Sequence, residues 1–165
     1  MRAYVFAKHY RWVNNVRVDG DTHTTVNYRN SGQTPAYGLV LNASLRVGGK
    51  PPSPSRAVFR NTKEHSVNVA IDPKVAINLG PLVNLGRKVT PNEIAAIRKR
   101  QMRMYVFGVF SCRDVLTKNR HHSYFCFAYT GLTTNTQDTP KLSRYCSAFL
   151  QELQDTSSRL EECRH

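Results

Sequence analysis

Long hydrophobic runs are missing from this 165-residue sequence, and so are the motifs that announce chemistry. No apolar stretch approaches the roughly 18 residues that a membrane-spanning helix needs. There is no glycine-rich phosphate loop, no HExxH metal motif and no paired-carboxylate pattern. Acidic residues are scarce: of 11 Asp and Glu, six lie in residues 1–130, which leaves two-carboxylate catalysis few candidates. The four cysteines, Cys112, Cys126, Cys146 and Cys163, include no CxxC pair. With no visible export signal they are expected to be reduced thiols in a cytoplasmic protein. The opening Met1–Lys8 has a short apolar stretch and no small-residue cleavage site, so it reads as a first strand and not as a signal peptide.

Positive charge is what the sequence has in abundance. Lys and Arg total 24, for a net charge of +13. The excess is uneven. Residues 1–130 hold 20 basic against 6 acidic residues, and residues 131–165 hold 4 against 5. A basic body favours an acidic partner, such as nucleic acid, an anionic membrane surface or an acidic protein. Apolar residues make up 40%, enough for one core and too many for a disordered chain.

Period-2 alternation runs through the first 130 residues and predicts antiparallel strands. Tyr4, Phe6, Lys8, Tyr10 and Trp12 alternate with Val5, Ala7 and His9. Thr24, Val26 and Tyr28 share a face, and Asn30–Pro35 breaks that strand. Tyr37, Leu39, Leu41, Ala43, Leu45 and Val47 are expected to point one way, as in a strand buried on one side. Gly48–Ser55, with its three prolines, reads as a loop. Val67, Val69 and Ile71 predict a strand, as do Val75, Ile77 and Leu79. Thr90-Pro91-Asn92-Glu93 is a helix start, with Thr90 as cap and Glu93 completing a capping box. The helix is expected from Pro91 to about Gln101, with Ile94 and Ile97 facing inward. Met102–Cys112 and Ser123–Thr130 predict two apolar strands joined by a hairpin at Thr117–Arg120. Seven or eight short strands with regular turns indicate a β-sandwich over residues 1–131.

Residues 132–165 are different in pattern. Leu142, Cys146, Phe149, Leu153, Thr156 and Leu160 are spaced four and three residues apart, the seam of an amphipathic helix from about Leu142 to Cys163. Packing on the chain's own sandwich is the favoured placement. A homodimer seam or a partner-docking face are the others.

The segment Asn30-Ser31-Gly32-Gln33-Thr34-Pro35-Ala36 resembles an Asn-x-Gly-Gln-Thr-Pro-Ala turn shared by a set of poorly characterised bacterial proteins. Arg2-Ala3-Tyr4-Val5, Thr90-Pro91-Asn92-Glu93-Ile94, Tyr105-Val106-Phe107-Gly108 through Asp114, and Phe125-Cys126 are similar to further stretches of that set. The resemblance covers roughly residues 2–129. It implies an immunoglobulin-like fold, with a membrane anchor before the domain in many members, and it implies no activity. This chain opens directly on the shared region. Within the turn, Gly32 permits positive φ, Pro35 fixes the entry to the next strand, and Gln33 and Thr34 can bond loop backbone. These residues therefore read as making the fold.

Cys112, His121, His122 and Cys126 are of types that bind zinc. Strand alternation puts His121 and His122 on opposite faces, so neither a metal nor another cofactor is expected. A thiol nucleophile at Cys112 with His121 or His122 and Asp114 can be written down, but nothing in the sequence brings these residues together. The stronger candidate is a basic cluster, Arg87, Lys88, Arg98, Lys99, Arg100 and Arg103, whose stretch contains one carboxylate, Glu93. The sequence thus predicts a non-enzymatic binding module, an adaptor or inhibitor whose basic surface meets an acidic protein or nucleoprotein complex. Direct DNA or RNA binding through residues 87–103 is the alternative, with Tyr10, Trp12 or Tyr124 able to stack on bases.

Overall fold

The computed structural model describes residues 5–12, 21–52, 63–67, 70–77, 82–114 and 120–129. It is mainly β, with strands β1 (Val5–Trp12), β2 (His23–Asn30), β3 (Ala36–Gly48), β4 (Lys63–Val67), β5 (Ala76–Ile77), β6 (Leu82–Asn84), β7 (Arg103–Asp114) and β8 (Arg120–Tyr129). One helix, α1 (Pro91–Arg98), lies between β6 and β7. The strands form two antiparallel sheets. One has the order β1-β2-β5, with β6 also paired to β2, and the other has the order β4-β3-β7-β8. The helix expected at Leu142–Cys163 and the hairpin residues Thr117–Asn119 lie outside the described residues.

Alternation explains which side chains meet between the sheets. Val5, Val26 and Tyr28 come from the first sheet. Leu39, Leu41, Ala43, Leu45, Val47, Met104, Val106, Phe110, Phe125 and Phe127 come from the second. The Tyr28 and Phe110 rings join the two layers at a centroid distance of 5.2 Å. Gly108 is opposite both Ala43 and Phe125. A Cβ there would collide with the Asn42 backbone carbonyl and lie 2.8 Å from the Phe125 ring, so glycine is what lets β3 and that ring close over β7.

β3 departs from strict alternation. Between Tyr37 and Val40 the β3–β7 register shifts, and Gly38 sits at φ 55°. This is a bulge of the glycine type, in which an extra residue turns the strand before it. Tyr37 therefore does not join Leu39 and Leu41 in the core, as alternation predicted, and is 44% exposed. Of the strand expected through Val67, Val69 and Ile71, β4 contains Val67, and Val69 lies outside the described residues. Ile71 makes an isolated bridge to Ala36 beyond the bulge. Val75 belongs to a turn, in which its amide donates to the Asp72 carbonyl at 3.2 Å, Pro73 fixes φ and Lys74 takes φ 68°. The short β6 was missed because Gly80-Pro81 reads as a break.

Asn30 holds the turn between the sheets. It is fully buried, and its Nδ2 donates to the Thr34 carbonyl and to the Ile71 carbonyl, each at 2.9 Å. Its Oδ1 accepts from the Gly32 amide at 2.9 Å. Its backbone amide donates to the Val75 carbonyl, and its carbonyl accepts from Lys74 at 2.8 Å. The bonds expected from the Gln33 and Thr34 side chains are thus supplied by Asn30. The glycines at left-handed φ among the described residues are Gly38 and Gly86, so Gly32 does not use the positive φ expected of it; it is buried, with its amide bonded to Asn30.

Candidate functional site

The basic cluster is organised by α1. Thr90 caps the helix: its Oγ1 accepts from the Glu93 amide at 3.3 Å, and Glu93 Oε2 accepts from the Thr90 amide at 3.0 Å. Pro91 takes the first helical position, where its missing N–H costs nothing. Ile94 and Ile97 are buried and anchor the helix. Eight residues at about 1.5 Å each make a helix about 12 Å long. It therefore separates Arg87 and Lys88 from Arg98, Lys99 and Arg100.

Arg87 is committed within this end of the helix. Its Nη1 donates to Glu93 Oε2 at 2.8 Å and to the Lys88 carbonyl at 3.1 Å, and its Nη2 completes a two-pronged pair with Glu93. The Arg87 hydrogen bond, helped by the Thr90 amide, holds the Glu93 carboxyl at about 2, well below its ordinary value. The one carboxylate of residues 87–103 is thereby neutralised. Lys88, Arg98, Lys99 and Arg100 remain exposed, and Arg103 is half-buried at the start of β7 with a partner of its own.

The far end of α1 closes in an unusual way. The Arg100 amide donates to the Ile97 carbonyl at 2.9 Å and the Gln101 amide to the Ala96 carbonyl at 2.9 Å. This is the double closure of a Schellman turn, whose left-handed position usually holds glycine. Here it holds Arg100, at φ 59°. A side chain in this conformation costs about 1–2 kcal/mol.

A cleft of about 260 Å³ lies beside Arg87 and Lys88, lined also by Asp21, Thr22, His23, Asn84, Leu85 and Gly86. Thr22 Oγ1 and His23 Nδ1 are sealed from solvent and have no hydrogen-bond partner, so these atoms do not face the opening. The sequence gave no hint of this cleft, because it forms where β2 and β6 begin and end.

Register brings Cys112 and His121 together on one face of the second sheet, whereas His122 and Cys126 lie on the other, so the four do not form one set. Cys112 is paired with His121, and Phe107 with Cys126, in the β7–β8 register. Cys112 belongs to the core between the sheets, whereas Cys126 follows Phe107 on the opposite face. Neither residue is in a disulfide, and both are buried. Cys146, Cys163 and the seam Leu142, Phe149, Leu153 and Leu160 lie outside the described residues. No protein family, curated protein or solved structure matches the chain.

The Glu93 pair carries a pH signature. A carboxyl whose folded value is depressed adds stability above its unfolded value, near 4.5, and that stability is lost as pH falls toward about 2. Because Arg87 is half exposed, the pair contributes about 1 kcal/mol or less. Glu93→Gln should therefore be less stable than the wild type in urea at pH 7, and the difference should close near pH 2. A difference that persists unchanged at pH 2 would rule out the charge as its origin.

Proposed function

We propose that this chain is a non-enzymatic binding module that engages an acidic protein surface through the exposed cations at the C-terminal end of α1. The supporting observation is Arg100 in a position where glycine would be more stable. Backbone strain that the fold does not need is a reason to look for function in the side chain. Consecutive helical residues point about 100° apart, and beyond Arg98 the chain leaves the helix through Lys99 into left-handed backbone at Arg100, so the three cations are not in one helical row and suit separate carboxylates better than one continuous polyanion. Membership of an adaptor or inhibitor class follows from this reading. Direct DNA or RNA binding by residues 87–103 is the competing outcome.

The immunoglobulin-like reading is supported by strand order. The order β1-β2-β5 would correspond to strands A, B and E, and the order β4-β3-β7-β8 to C′, C, F and G. The tail reading is supported by the second sheet. Tyr105, Phe107, Val109, Cys126 and Ala128 are buried, although none belongs to the core between the sheets. The amphipathic seam of residues 142–160 is the proposed cover for this face. Full-length Leu153→Asp should then alkylate faster at Cys126 while Cys112 stays protected. Equal Cys126 rates in the two proteins would contradict the cover.

The partner reading is tested by affinity capture from nuclease-treated extract, with wild type and Arg100→Gly compared. The variant should gain about 1 kcal/mol of stability, because glycine accepts the left-handed turn. It should nevertheless retain less of one discrete acidic protein. Capture that nuclease abolishes would favour nucleic acid, and capture equal in both proteins would remove Arg100 from the site.

A further inference from the structure

We infer a second binding site, for a phosphate carried beside a nucleobase, at the exposed end of the outer face of the second sheet, in the row Tyr37–Arg113–Arg120. Register places these residues side by side: Tyr37 is the partner of Arg113 on β7, and Arg113 is the partner of Arg120 on β8. Directly opposed residues of an antiparallel pair have Cβ atoms about 5 Å apart and point to the same face. The Gly38 bulge swings Tyr37 out of the core and onto that face. All three side chains are exposed, and among the described residues none has an ion pair or a hydrogen bond.

Two like charges directly opposed across strands destabilise a sheet. Among the described residues no carboxylate is paired with either arginine, and a bound phosphate would supply the missing negative charge. Two guanidinium groups at this spacing can clasp one phosphate from both sides, each offering a fork of donors to its oxygens. One strand spacing further, about 4.8 Å, the exposed Tyr37 ring offers a stacking surface to the attached base. A carboxylate would satisfy the arginines but would leave the ring without a role. A strand of single-stranded nucleic acid uses all three residues, and His122 stands two positions along β8 on the same exposed face. Arg113 is ten residues along β7 from Arg103, a strand length of about 33 Å, so the row lies at the other end of β7 from the turn that joins it to α1.

The test uses the full-length chain and fluorescein-labelled oligothymidylate of roughly ten nucleotides, followed by anisotropy. Arg113→Gln and Arg120→Gln should each weaken binding at least about tenfold at low salt and lower the salt slope by about 1. Because they share one phosphate, the double variant should lose little more than either single one. Both single variants should melt at or above the wild-type temperature, since each relieves the like-charge pair, which separates lost binding from lost folding. Tyr37→Ala should cost at least about fivefold, and Tyr37→Phe should retain binding. An abasic strand of the same length should bind wild type and Tyr37→Ala equally. The site is overturned if Arg113→Gln and Arg120→Gln bind the oligonucleotide as wild type does. It is also overturned if polyglutamate of matched charge binds as tightly as the oligonucleotide, since charge alone would then account for the row. Arg98→Ser is the control: its failure to affect the oligonucleotide leaves the two sites separate, and a tenfold loss there would move the nucleic-acid site to α1.

Discussion

The carboxamide of Asn30 ties together three segments that would otherwise end without partners. β2 stops there, and the chain must cross from one sheet to the other within five residues. A crossing of that length leaves backbone donors and acceptors buried and unpaired, which costs about 1–3 kcal/mol for each group. Asn30 is the side chain that can answer several of them at once, because it carries two donors and an acceptor on one short arm. It spends them on Gly32, Thr34 and Ile71. The Ile71 carbonyl also accepts from Ala36 at 3.0 Å, so the same atom bonds the first sheet through Asn30 and the second through β3. Aspartate would lack the donors, and a hydroxyl would be too short to span both carbonyls.

With the crossing fixed, β3 can start at Ala36, deep in the core, and the bulge at Gly38 can set Tyr37 outside. The rest of the second sheet follows from that register. β7 pairs with β3 over most of its length, and β8 pairs with β7, which places the arginine row and the buried outer-face residues. Among the described residues, three of the places where local stability is given up involve cations. Lys74 and Arg100 occupy left-handed backbone at φ 68° and 59°, and Arg113 opposes Arg120. In a body with 20 basic residues against 6 acidic ones, such positions have the easy remedy of glycine or a carboxylate. The sequence does not use it. This pattern supports the proposed recognition of acidic partners.

Strand identity was legible where alternation was strong. Thr24, Val26 and Tyr28, the run from Leu39 to Val47, and the β7–β8 hairpin were all visible from period and turn residues. The helix start was legible because a capping box is written in four adjacent residues. Tyr37 was misplaced because a bulge adds a residue without changing the alternating pattern, and Gly38 alone does not announce it. Asn30 read as a turn residue, since its partner at Ile71 is 41 positions away. The basic cluster was legible as composition. That Glu93 consumes Arg87, and that Arg113 meets Arg120 across a hairpin, depended on geometry that sequence proximity does not encode.

Hydrogen exchange at the Asn30 carboxamide is the most direct test of the crossing. Both Nδ2 protons are donated to buried carbonyls, so they should exchange only when the domain opens globally, at a rate matching the slowest core amides of β7. Loss of that protection in Ile71 or Gly32 amides on Asn30→Ala would accompany it. Exchange of the Nδ2 protons at the rate of a solvent-exposed asparagine, with β7 still protected, would show that the crossing is held by something else.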